Sequence, residues 1–198
     1  MKQSSLVRIL LVLALGSLAP GCSTWPTPQQ GVPLVWMKGD ETLPATMTNL
    51  YPHRLKLTRF VDRRAQPSLI GLNVQRPADP VPVTTAEDVG AWTADRFVYL
   101  LRRQGVEVVD SGETLEVEVE LTTFLVTEDR NFEGEVAFSA TFRRPGGEVL
   151  WRGAGLGRSR RWGRTSNLTN YYEAITIALD QAVTGLVANP SLLAALSR

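Results

Sequence analysis

Between residues 115 and 127 apolar and polar positions alternate sharply. Leu115, Val117, Val119 and Leu121 point one way, and Glu116, Glu118 and Glu120 the other. A period of two is that of a half-buried β-strand. The same period predicts strands over 54–61, 106–109, 133–144 and 148–162. In 54–61, Leu55, Leu57 and Val61 are assigned to one face and Lys56, Thr58 and Phe60 to the other. In 133–144 the inward set is Val136, Phe138, Ala140 and Phe142; in 148–162 it includes Val149 and Trp151. Arg144-Pro145-Gly146-Gly147 is the hairpin turn between those two strands. Gly153, Gly155 and Gly157 share one face, which predicts close approach of a helix backbone.

Two stretches follow the helical period instead. In the first, Thr84 and Glu87 form a capping box. Val89, Trp92, Thr93, Phe97, Leu100 and Leu101 then gather on one side, and Gly105 ends the helix. In the second, over 170–188, Asn170 is the expected cap, answered by Glu173. Ile175, Ala178, Leu179, Ala182, Val183 and Leu186 make its apolar face, Asn189-Pro190 stops it, and 192–196 adds a turn. Between the first strand and the first helix, Pro77, Pro80 and Pro82 exclude a helix and predict a loop. The element order is β-α-β-β-β-β-α, an α+β two-layer sandwich with two main helices against a mainly antiparallel sheet.

Composition narrows what this domain does. The chain has 198 residues, 21 Lys+Arg, 20 Asp+Glu, one His and one Cys, and 43% of it is hydrophobic. Near-neutral charge argues against a dedicated nucleic-acid binder. A single Cys excludes an internal disulfide and any multi-thiolate metal site, and a single His excludes a two-His centre. His53 follows Pro52 before the first strand, and no Gly-x-Ser-x-Gly elbow accompanies it. No Walker A pattern is present, and the 153–157 glycines lie in a strand, not in a phosphate loop. We expect no catalytic residues, no cofactor and no metal: a binding protein, not an enzyme.

Residues 1–21 carry Lys2 and Arg8 ahead of a short apolar run, 9–18, and Cys22 follows them. The run is too short to span a bilayer and has the size of a secretory signal core. Ala19-Pro20-Gly21-Cys22 resembles a bacterial lipobox, with Ala19 where Leu is usual. The resemblance implies lipidation of Cys22, cleavage before it, and, with Ser23 next, sorting to the outer membrane with the domain in the periplasm. Removing 1–21 takes two positive charges and no acid, which turns a net +1 into −1. Ten of the 12 prolines lie between Pro20 and Pro82. Residues 22–48 read as a Pro-rich tether in which 32–36, Val-Pro-Leu-Val-Trp, is apolar enough to dock on the domain, and 49–198 as a single domain.

The most concentrated charge lies beyond Pro145. Arg158, Arg160, Arg161 and Arg164 form a candidate patch for an anionic ligand, an anionic lipid or an acidic envelope partner. Pairing with the Glu row is the competing reading. Asp62-Arg63-Arg64 reads as a local charged turn.

The strand ending Phe60-Val61-Asp62-Arg63, Ile70-Gly71, the helix with Trp92 and Asp95 closing at Gly105-Val106-Glu107-Val108-Val109, Leu150-Trp151, and Asn170-Tyr171 before Glu173-Ala174 are together similar to the YajG-type bacterial lipoproteins. They are more distantly similar to accessory lipoproteins of lipopolysaccharide assembly and ABC-type lipid transport. The resemblance implies a periplasm-facing α/β domain without known enzymatic activity. It further implies an accessory or binding role toward an envelope protein or lipid. The β-α-β order is also similar to the lipidated secretion-pore family of curli export, which leaves a subunit of an oligomeric secretion or transport assembly as the alternative.

Overall fold

The computed structural model describes residues 27–37, 50, 53–163 and 167–197. They form β1 (Arg54–Asp62), β2 (Leu69–Asn73), β3 (Val81–Thr84), α1 (Val89–Arg103), β4 (Glu107–Val108), β5 (Leu115–Glu128), β6 (Phe132–Arg143), β7 (Val149–Arg161), α2 (Leu168–Val187) and α3 (Pro190–Leu196). The fold is α+β: one open seven-stranded sheet with the helices packed on it. The sheet is mixed. β5, β6 and β7 are long antiparallel neighbours, whereas β1 and β2 both run parallel to β5.

β5 organises the sheet because it is long enough to serve two partners on one edge. β6 pairs with its whole length. On the opposite edge β1 takes the stretch from Leu115 to Leu121, and β2 takes Val126 to Glu128. The chain leaves the edge after Asp62 and rejoins it at Leu69. Arg64 fills the gap. Its guanidinium pairs with Asp62 at 2.7 Å and donates to the Leu69 carbonyl at 2.8 Å and the Phe124 carbonyl at 3.3 Å, beside the Phe124 ring. The Arg64 side chain is only 7% exposed. What the sequence presents as a charged turn is a buried plug for an interrupted strand edge. The supposed loop after it contains β2 and β3, five and four residues long, too short to stand out by periodicity. Pro77 and Pro80 lie outside these strands, and Pro82, which lacks a donor, still offers its carbonyl to Gln29.

Several local expectations shift for identifiable reasons. A bulge between Leu57 and Arg59 reverses the faces of β1, so Phe60 packs inward on Phe97 and Val61 turns outward. A second irregularity, at Phe142/Arg143, leaves Val149 exposed while Trp151 is buried. Thr84 is held in β3 and pairs with Leu69, so it cannot cap α1; the Asp88 carboxylate does so, accepting from Ala91 N at 2.9 Å. α2 begins earlier than expected. Asn167 caps it, and Asn170 is buried within its first turn.

The glycine face behaves as its pattern suggests. A Cβ at Gly157 would lie 1.8 Å from the Ala178 carbonyl oxygen, one at Gly155 2.7 Å from that of Ala182, and one at Gly134 2.6 Å from that of Ala174. Ala174, Ala178 and Ala182 recur every helical turn and are fully buried, so α2 lies with its backbone almost on the strands. Gly153 differs: it accommodates the Trp151 ring. Phe97, Phe124, Phe132, Phe138 and Phe142 fill the rest of the layer, each contributing about 1.5–3 kcal/mol by burial.

The apolar tether segment docks. Val32 N donates to Thr84 O at 2.9 Å, Thr84 N to Gln29 O at 2.8 Å, Leu34 N to the Glu87 carboxylate at 3.0 Å, and Trp92 Nε1 to Leu34 O at 3.2 Å. Val32 is buried, and Trp36 packs against Trp92 and Tyr99. Residues 27–37 are a strap that runs along β3 and then crosses α1 to reach Thr176 of α2.

Two stability measurements test this account. In urea unfolding, Gly157→Ala should cost about 3 kcal/mol by overpacking α2. By contrast Gly185→Ala, on the same helix with open space around it, should add about 0.5–1 kcal/mol. Arg64→Ala, which leaves Asp62 and the β5 edge without their partner, should cost about 3 kcal/mol or more.

Candidate functional site

The helices all pack on one face of the sheet. The other face is uncovered by any described residue, and strand register sets its chemistry. Thr127, Glu133 and Arg160 lie in one row across β5, β6 and β7, and Leu125, Glu135 and Arg158 in the next. Thr123, Ala137 and Leu156 follow, then Val61, Glu120, Ser139 and Ala154, and then Arg59, Glu118, Thr141 and Arg152. Two charged bands therefore flank a mixed centre in which Val61, Ala137, Ala154 and Leu156 lie among Thr123, Ser139 and Glu120, and Leu156 is 50% exposed.

The predicted arginines sit at one end of this face. Arg158 pairs with Glu135 at 3.0 Å and Arg160 with Glu133 at 3.6 Å, both across β6–β7. Arg161 faces the helix layer and grips Glu173 of α2 with two donors, at 2.6 and 2.9 Å. The structure thus brings Arg158 and Arg160 onto the open face and separates Arg161 from them. Arg164 and Cys22 lie outside the described residues. The acids that meet Arg158 and Arg160 come from β6, not from the glutamate row of β5, whose Glu118 and Glu120 pair with Arg143 and Arg63. These pairs are largely exposed, so each adds little net stability and leaves its charges accessible.

Two shallow depressions mark the face. One, of about 650 Å³, is lined by Thr123, Leu125, Thr127, Glu133, Glu135, Arg158 and Arg160. The other, of about 150 Å³, lies between Arg59, Glu118, Glu120, Ser139, Thr141 and Arg152. Both are open, mixed in charge and unlike an enclosed catalytic pocket. Among the described residues no group of three or more His, Cys, Asp or Glu is placed to hold a metal ion. His53 is half-buried just ahead of β1, and its backbone N–H donates to Leu50 O at 2.6 Å. No helix among the described residues is long and apolar enough to cross a membrane.

One buried polar pair escaped the pattern analysis. Glu128, at the end of β5, is 1% exposed, and its carboxylate accepts from the Tyr171 hydroxyl of α2 at 2.6 Å. Glu128 continues the strand's acidic look, but the bulge between Leu121 and Thr123 turns it inward. Burial, reinforced by the Glu128 carboxylate, pushes the Tyr171 phenol far above its ordinary value. Burial raises Tyr172 as well, with Glu87 adding to the effect.

No family model matches the chain, and no curated protein matches it by sequence. Solved structures do resemble it. A Xanthomonas campestris protein of family DUF330 superposes with a TM-score of 0.51 at 12% identity, covering 87% of this chain and 95% of its own. A lipoprotein described as putative from Caulobacter crescentus reaches 0.43 at 9% identity, over 55% of this chain and 83% of its own. Lipoprotein GNA1162 from Neisseria meningitidis reaches 0.29 at 15% identity, over 68% and 96%. The first of these shows a shared fold at an identity that carries no function across.

The Tyr171–Glu128 pair has a pH signature. The raised phenol contributes stability in full below the ordinary phenol value, and that stability falls as pH rises past it, because the unfolded chain ionises first. Absorbance titration should show Tyr171 and Tyr172 still protonated where an ordinary tyrosine has ionised. Tyr171→Phe should cost about 1–3 kcal/mol by removing the Tyr171 hydrogen bond to the buried Glu128 carboxylate.

Proposed function

We propose that the chain is a lipid-anchored bacterial envelope protein that binds a partner through its open sheet face and performs no chemistry of its own. In this reading Cys22 carries the lipid, residues 1–21 are removed, and Ser23 directs the mature chain to the outer membrane with its domain in the periplasm. The partner is an envelope protein or an anionic envelope lipid.

The observation that carries the binding role is the uncovered face itself. An α+β domain that hides one side of its sheet under helices normally solvates the other with a plain polar surface. Here an apolar cluster of Val61, Ala137, Ala154 and half-exposed Leu156 lies between bands of accessible charge. An apolar core with a charged rim is how recognition surfaces are built. The anchor reading is supported by the only Cys in the chain standing at the end of a signal-like segment.

Two experiments test this. Cys22→Ser should abolish the diacylglycerol mass shift and release the protein from membranes; an unmodified wild-type N-terminus would remove the anchor. Affinity capture from cross-linked envelopes should recover a partner with the wild type. Leu156→Glu combined with Arg158→Glu should reduce that recovery at least tenfold, the equivalent of about 1.4 kcal/mol. Unchanged capture would clear the open face of the role.

A further inference from the structure

We propose that the end of the sheet carrying Trp162 rests on the bilayer, with the indole in the headgroup region; the inference rests on the lipid anchor at Cys22. Three observations place it there. First, the direction of the strap is fixed. Gln29 bridges Val83 in parallel, and β3 runs antiparallel to β2, which runs parallel to β5. The chain from Thr27 to Val32 therefore runs away from the end where β5 turns into β6. Thr27 is therefore the strap residue nearest that end, which also carries the β2–β3 loop and the terminus of β7.

Second, the anchor is short. Five peptide steps separate Cys22 from Thr27, a reach of ~17 Å at most. Gly71 of β2, the partner of Val83, pairs with Val126 of β5. From Val126 back to Leu115 the strand rises roughly 36 Å. Standing on its opposite end, at the β6–β7 turn, the domain would lift Thr27 beyond the reach of its own lipid.

Third, the end so placed presents the most exposed large apolar side chain among the described residues. Trp162 follows directly on β7 and is 80% exposed. An indole left in water is costly, yet at a bilayer interface its ring meets the acyl boundary while its N–H finds a polar partner. Arg76, Arg130, Arg160 and Arg161 share this end with Asp79, Asp129, Glu133 and Glu173. Among the described residues this charge is balanced, so the contact is inferred from Trp162 and not from attraction to anionic lipid. The open sheet face then stands roughly upright from the membrane.

Brominated lipids quench an indole only when it enters the bilayer, which gives the test. Trp25 lies beside the anchor, so the background is Trp25→Phe, in vesicles of phosphatidylethanolamine and phosphatidylglycerol with brominated acyl chains. The natively lipidated chain should lose emission relative to unbrominated vesicles, and Trp162→Phe should remove most of that loss. Arg144→Trp, added to the Trp162→Phe chain as a reporter on the β6–β7 turn, should not restore it. The same series is run on a chain lacking residues 1–21 and coupled through the Cys22 thiol to a maleimide lipid. Quenching of the coupled chain, with a native chain recovered free of lipid, would overturn the anchor at Cys22 and leave the orientation standing. Equal quenching with and without Trp162 in the coupled chain, or quenching at position 144, would overturn the orientation.

Discussion

The architecture depends on one shared edge. β5 is longer than either parallel partner, so β1 and β2 take turns along it, and the chain must leave and return between them. An interrupted edge exposes backbone carbonyls that the interior cannot solvate. Arg64 resolves this by donating to Phe124 O and Leu69 O while its charge is met by Asp62. Beyond the gap β2 is in register with the end of β5, β3 lies beside β2, and the strap bonds to β3. The N-terminal segment is thus tied to the far part of β5 through β3 and β2.

A second constraint holds the layers together. α2 approaches β6 and β7 closely enough that glycine is required beneath the carbonyls of Ala174, Ala178 and Ala182. Small residues on both sides let backbones touch, and the large aromatics fill the space this leaves toward α1 and α3. Phe97 meets Phe138 edge to face, and Phe142 meets Trp151. Dispersion in such packing grows with the number of close atoms, so the thin part of the layer and its bulky flanks complement each other. With the helices committed to this side, the other side of the sheet is left to the surroundings.

The long elements were legible because burial on one side imposes a period. β5, β6, α1 and α2 fall within a few residues of where alternation and helical spacing put them. The glycines at 155 and 157 announced the close helix. Caps were less legible: Thr84 and Asn170 have the right chemistry, but pairing and burial use them elsewhere. β2 and β3 were hidden because five or four residues are too few to display a period. Bulges in β1 and β5 hid the true orientation of Val61 and Glu128, since one inserted residue exchanges the faces of all that follow.

The arginine cluster shows the same division. Its density is plain from sequence, but alternation cannot tell which neighbour neutralises which charge. Arg158 and Arg160 meet acids of β6, and Arg161, one step further, crosses to α2. The sequence by itself determined the layers, the solitary Cys and the single His, because these follow from residue type and local period. Only the tertiary structure decided that Arg64 is a buried plug, that residues 27–37 form a strap, and at which end of the sheet that strap begins. Those outcomes come from contacts between segments distant in the chain, and no local period encodes a distant partner.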